Sequence, residues 1–142
     1  PHGAFSAPFA PLSVALSLGA GFVARGFSGM REHLTTLITA AIEHPGFALV
    51  DILQPCVSFN KVNTHAWYKE RCTELDASHD PVDWEQAMRL SRQWGDNIPV
   101  GILYQSRERD PFERHFPQLQ SGPLMENSPS MAALESIMQT YA

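Results

Sequence analysis

An α/β fold is predicted for this chain: a parallel-sheet βαβ portion over residues 1–105, then an irregular carboxyl-terminal extension over 106–142 that ends in a helix. Three observations predict it. Residues 21–27 and 47–53 are apolar runs of strand length, the second stopped by Pro55. Between them Met30, Leu34, Leu37, Ile38, Ala41 and Ile42 recur at helical spacing and make a one-sided apolar stripe. A strand, an amphipathic helix and a second strand in close succession form a right-handed crossover between parallel neighbours in nearly all known cases.

The elements follow in order. Pro11 stands in the first turn of a short helix over 11–18, which Gly19 ends. The strand 21–27 comes next, and Ser28 is placed to cap the helix 30–44. Pro45 and Gly46 close that helix ahead of the strand 47–53. Thr64 to Cys72 reads as a helical turn or two, with Trp67 and Tyr68 as aromatics that dock it. Asp83 caps a helix through Trp94, Gly95-Asp96-Asn97 turns the chain, and Ile98 to Tyr104 is a third strand. Pro99 places that strand at a sheet edge or marks its first residue. Residues 107–129 are polar and proline-bearing, and Ser130 caps a last helix over 131–141.

Composition narrows the function. At 142 residues, 44% hydrophobic and 18% charged, the chain has enough apolar content to build a globular core and too few charges to stay disordered. The net charge of −5 and the scattered Lys and Arg residues give no basic face for nucleic acid. No apolar run approaches the roughly 20 residues of a membrane span. The opening Pro1-His2-Gly3-Ala4 has no initiator Met and no signal-peptide pattern, so the chain reads as a cytoplasmic fragment or one lacking an amino-terminal portion.

Chemistry concentrates in one place. Gln54-Pro55-Cys56-Val57-Ser58-Phe59-Asn60-Lys61-Val62-Asn63-Thr64 leaves the carboxyl end of the second strand, the edge at which open α/β sheets gather their chemistry. Cys56 and Cys72 form no CxxC pair, and by themselves they read as two ordinary thiols. HExxH, a nucleophile elbow, GxGxxG and a P-loop are all missing. The histidines have no metal spacing and no carboxylates pair for acid–base work, so no catalytic residue is assigned. Asn60, Lys61, Asn63 and Thr64 have two readings, as loop caps or as walls of a cofactor pocket.

The run from Gly46 to Arg71, with Phe22-Val23-Ala24-Arg25-Gly26-Phe27-Ser28 before it, resembles the beta subunit of the 2-oxoacid:ferredoxin oxidoreductases, over its carboxyl-terminal portion only. The resemblance implies a thiamine-diphosphate-binding fold. It implies that Cys56 is the fourth thiolate of a [4Fe-4S] cluster whose other three ligands lie in the amino-terminal half. Cys72 matches no ligand. For the intact enzyme it implies thiamine diphosphate, Mg2+ and the cluster as cofactors, and an alpha subunit, ferredoxin, a 2-oxoacid and coenzyme A as partners. The implied reaction is oxidative decarboxylation of 2-oxoglutarate or pyruvate to the acyl-CoA. The family's Gly-Asp-Gly run and the Asn that follows it, which supply hard oxygen ligands to Mg2+, are absent from this sequence. The isolated chain is therefore expected to bind none of these cofactors and to be inactive. Two other readings stay open: a thiamine-dependent enzyme without a cluster, and a non-catalytic α/β interaction module.

Overall fold

The computed structural model describes residues 6–106, 108, 110–120, 122–126 and 130–141. The chain divides into two compact units, Pro1–Arg109 and Asp110–Ala142.

In the first unit helix α1 (Pro11–Ser17) precedes strand β1 (Phe22–Phe27), helix α2 (Arg31–Glu43) and strand β2 (Ala48–Leu53). Helix α3 (His65–Arg71) runs directly into the three-residue strand β3 (Cys72–Glu74), and helix α4 (Trp84–Arg92) and strand β4 (Ile98–Gln105) complete the unit. The described strands make a four-stranded sheet in the order β2-β1-β4-β3. β1 and β2 pair in parallel, Phe22 opposite Ala48 through Phe27 opposite Leu53, as the crossover helix between them requires.

The parallel βαβ unit is present as predicted, and the rest of the sheet adds features that the sequence reading did not give. β4 runs antiparallel to β1, so the parallel unit sits in a mixed sheet. β3 was not foreseen: three residues carry no readable alternation, and the strand exists only through its parallel pairing with β4. β4 is an inner strand and Pro99 is its second residue. The proline is tolerated because the β1 ladder begins only at Gly101, so Pro99 faces β3 alone. A smaller correction concerns Ser28. It lies in the turn after β1, its N–H bonded to Leu53 O at 3.0 Å, and Met30 occupies the N-cap of α2 without a side-chain cap.

Helices cover both faces of the sheet. Strand alternation sends Phe22 and Ala24 toward α2, where they meet Leu37, and sends Val23 to the opposite face, where Leu12, Leu16, Ala87 and Leu103 close over it. β1 is buried along its whole length, which explains its apolar character apart from Arg25. Pro11 opens α1 and Asp83 Oδ1 caps α4 by accepting from the Gln86 amide at 2.9 Å, both as the sequence predicts, while Thr64 Oγ1 caps α3 by accepting from the Trp67 amide at 3.3 Å.

In the second unit short 3-10 turns at Phe112–His115, Pro117–Leu119 and Leu124–Glu126 lead to helix α5 (Met131–Gln139). Ser130 caps it, Oγ accepting from the Ala133 amide at 3.1 Å, as the sequence predicts. None of the described residues of α5 is buried.

Candidate functional site

The parallel pair β1–β2 ends at Phe27 and Leu53, side by side. Because β4 is antiparallel to β1, its first residues come to the same end of the sheet, and β3 begins there with Cys72 opposite Ile98. Phe27, Leu53, Ile98 and Val100 form a small buried cluster at this end, and Trp67 and Tyr68 of α3 pack onto it. The two aromatics thus dock the helix, as expected. Trp94 joins them, its ring centroid 6.4 Å from that of Tyr68. Gly29 permits the approach of α3: a side chain there would meet Phe27 Cζ at 2.7 Å and His65 Nε2 at 2.6 Å.

Residues 54–64 leave this platform from β2 and return to it through α3. Cys56 lies near the start of the loop, exposed and free. The backbone N–H of Phe59 and that of Ser58 donate toward its sulfur and hold its pKa below the ordinary thiol value. The Asn60 amide and the Lys61 ammonium act in the same direction. Cys72, in contrast, is half-buried against the aromatic platform, and desolvation pushes its pKa up. The two cysteines therefore differ in chemistry as well as position. One is a solvent-facing sulfur whose pKa is lowered, the other a half-buried thiol whose pKa is raised.

The loop is held by hydrogen bonds. Asn60 Oδ1 accepts from the amides of Val62 and Asn63, both at 2.9 Å, and Asn60 Nδ2 donates to Asn63 Oδ1 at 3.3 Å. The Asn60 amide bonds Cys56 O at 3.1 Å, and Lys61 Nζ bonds Val57 O at 2.6 Å. Val57, Phe59 and Val62 stand 76%, 86% and 75% exposed, so within these residues no apolar burial fixes the loop. Asn60, Lys61, Asn63 and Thr64 serve here as the loop's own scaffold.

One arrangement escaped the sequence reading. Arg25, in the middle of apolar β1, is 4% exposed and donates to Ser91 O at 2.7 Å and Gln93 O at 3.4 Å, tying the sheet to the end of α4. Asp51 lies opposite it on β2, with Oδ2 3.6 Å from Arg25 Nε. That is a charge contact rather than a hydrogen bond. The signal was present as one cation and one anion inside two apolar strands, but only the register of the pair showed that they meet. His79, too, has partners: its ring joins Gln86 Oε1 at 2.6 Å and Ile102 O at 3.0 Å, securing the stretch before α4.

Among the described residues no three of His, Cys, Asp and Glu converge as a metal site. No helix among them is long and apolar enough to cross a membrane.

This geometry, a mixed α/β layer with a cysteine-bearing loop at its strand ends, has close counterparts among known proteins. Residues 56–121 match the family model for the carboxyl-terminal region of the pyruvate ferredoxin oxidoreductase beta subunit, a match that begins at Cys56 itself. A 2-oxoacid:ferredoxin oxidoreductase subunit beta of Sulfolobus sp is 37% identical over 136 residues, which is 88% of this chain and 44% of that one. The corresponding subunit of oxidoreductase 1 from Aeropyrum pernix is 36% identical over 132 residues, 85% of this chain and 42% of that one. Among solved structures, the 2-oxoglutarate:ferredoxin oxidoreductase from Magnetococcus marinus, with 2-oxoglutarate, coenzyme A and succinyl-CoA bound, superposes with a TM-score of 0.78 at 29% identity. That superposition covers 96% of this chain and 47% of the other. Fold and loop thus define an oxidoreductase-subunit domain. The chain belongs to the 2-oxoacid:ferredoxin oxidoreductase beta-subunit family and spans less than half the length of the relatives it matches.

Proposed function

We propose that this chain is the carboxyl-terminal part of a beta subunit that oxidises a 2-oxoacid to its acyl-CoA and passes the electrons to ferredoxin, with Cys56 as a cluster ligand. The observation that carries the ligand assignment is the environment of Cys56: an exposed sulfur at the strand ends, faced by the backbone amides of Ser58 and Phe59. Iron–sulfur centres take thiolates and are tuned by hydrogen bonds to their sulfurs, so this donor set fits the group. Cys56 would hold one corner of a [4Fe-4S] cluster, the other three ligands coming from outside these residues. Loop 56–64 would orient that thiolate, and the platform of Phe27, Leu53, Trp67 and Tyr68 would keep the loop in register with the sheet.

In the intact enzyme thiamine diphosphate with Mg2+ would supply the carbanion chemistry of decarboxylation, and the cluster would supply one-electron transfer. No residue of this chain is assigned to the thiamine diphosphate site. The Gly-Asp-Gly run is absent from the sequence, and the described carboxylates do not gather into a Mg2+ site. Substrate identity favours 2-oxoglutarate over pyruvate through the Val-Ser-Phe-Asn-Lys form of the loop and the likeness to the Magnetococcus enzyme.

The test is Cys56→Ala in the intact subunit assembled with its alpha subunit. Iron content, cluster absorbance near about 400 nm and ferredoxin reduction are expected to fall together, while thiamine diphosphate binding is retained. Unchanged iron with full ferredoxin reduction would overturn the assignment.

A further inference from the structure

Arg25 occupies a place in β1 where burial favours an apolar side chain. Its guanidinium donates to Ser91 O at 2.7 Å and Gln93 O at 3.4 Å, the carbonyls that end α4. A helix end of that polarity attracts a cation. The cost of burying the charge is offset by these carbonyls and by the Asp51 carboxylate, 3.6 Å from Nε. The next residue after the carbonyls is Trp94, and the guanidinium lies 5.8 Å from its ring centroid, within cation–π range. The same ring meets Trp67 at 6.5 Å and Tyr68 at 6.4 Å, the two aromatics that dock α3. Yet Trp94 is 52% exposed, so burial alone does little to fix it. A second contact holds this turn from outside. Arg71 lies over the Trp67 ring at 4.5 Å, with Nε 3.9 Å from Asp96 Oδ1. The Asp96 carboxylate is fully exposed, and a pair of that kind contributes little.

From these contacts we infer that Arg25 is a latch for α3, acting through Trp94. By holding the end of α4 and the Trp94 ring at once, it fixes the face on which Trp67 and Tyr68 rest. It thereby determines where residues 54–64 return to the sheet. The task suits arginine alone among the cations. A guanidinium has a flat fork that reaches two carbonyls and a face that stacks on a ring, whereas an ammonium is a point charge. The inference concerns the position of an element and does not depend on any ligand at Cys56.

The experiment follows alkylation of the two cysteines by iodoacetamide in the native 142-residue chain, read by mass spectrometry of their separate tryptic peptides. Exposed Cys56 is the internal standard. Cys72 is half-buried, and its amide bonds Tyr68 O at the end of α3, so it reports whether the helix stays seated. Trp94→Ala, a change at an exposed turn, is expected to raise the Cys72 rate relative to Cys56 by about tenfold or more. Arg25→Met, similar in length but uncharged, should do the same. Because the two residues act in series, the double variant should exceed the larger single effect by no more than about twofold. Arg25→Lys keeps the charge without the fork and should give a rise of about threefold. Each rise should stay flat in urea below the unfolding transition, as local opening does. A rate that climbs steeply with urea would mark an arginine that merely stabilises the whole unit, and would overturn the inference. So would a parent ratio in Trp94→Ala or in folded Arg25→Met, or effects that multiply in the double variant. If Arg25→Met does not fold, a parent ratio in Arg25→Lys overturns it equally. Asp96→Ala should react as the parent does, and a tenfold rise there would place the hold on the outer contact instead.

Discussion

His44 shows how one side chain can couple this fold to pH. It follows α2, is 8% exposed, and its ring lies 5.6 Å from that of Phe22. Gly21 makes the space, since a side chain there would meet His44 Nε2 at 2.6 Å. Desolvation lowers the His44 pKa from its ordinary 6.5, because burial penalises the charged ring. The unfolded chain therefore takes up its proton at higher pH than the folded one. By linkage, the stability associated with the neutral ring is complete above 6.5 and is lost as pH falls through the lowered folded value. Thermal unfolding of the parent is expected to show this acid loss below pH 6.5, and His44→Phe, which cannot be protonated, should flatten the profile there. An equal slope in the two proteins would exclude His44 as its source.

Among the elements, α3 has the most specific seat. It is seven residues long, too short to be stable by itself, and none of its residues is fully buried. Its position depends on Trp67 and Tyr68 against the sheet end and on the gap at Gly29. Gly29→Ala would push a methyl group into the Phe27 and His65 rings, at a cost of about 1–3 kcal/mol for an overpacked contact. The displaced element carries the loop with it, so Gly29→Ala is expected to lower the urea midpoint and also to weaken iron retention in the intact subunit. His65→Ala in the same background should recover part of each by removing one of the two contacts, the Phe27 ring remaining in place. The expected helix caps Asp83 and Ser130 were legible because a cap is a local matter of a short polar side chain and an amide three residues on, and Thr64, read only as a loop residue, caps α3 in the same way. Ser28 had the same side chain, but its backbone was taken by the turn that closes β1 onto Leu53.

For the molecule as a whole, the proposed chemistry exceeds what these residues hold. One exposed cysteine, Cys56, cannot by itself ligate a cubane that takes four thiolates, and the described residues offer no converging set of His, Cys, Asp or Glu. Purified alone, the 142-residue chain is expected to give no 2-oxoglutarate- or pyruvate-dependent reduction of a viologen dye with coenzyme A, thiamine diphosphate and Mg2+ supplied. Steady dye reduction would mean that the ligands have been wrongly placed. The chain also presents β2 at the outer edge of the sheet, with Ile52 42% exposed and Phe47, just before the strand, 65% exposed. Such an edge is normally covered in a finished α/β domain.

The sequence by itself determined the crossover, the strand ends and the thiol that leaves them. Each rests on periodicity or on residues close together in the chain: the stripe from Met30 to Ile42, the apolar runs on either side, and Pro55 before Cys56. The tertiary structure decided what depends on distant segments meeting. β4 turned antiparallel against β1, and β3 formed only as its partner, because strand direction and a three-residue pairing leave no trace in local pattern. Arg25 met Asp51 and the carbonyls at the end of α4 through register and packing, which no spacing along the chain encodes. Asn60 lies between these cases. Its residue type announced a loop cap, but only the fold showed which groups it closes on, the amides of Val62 and Asn63.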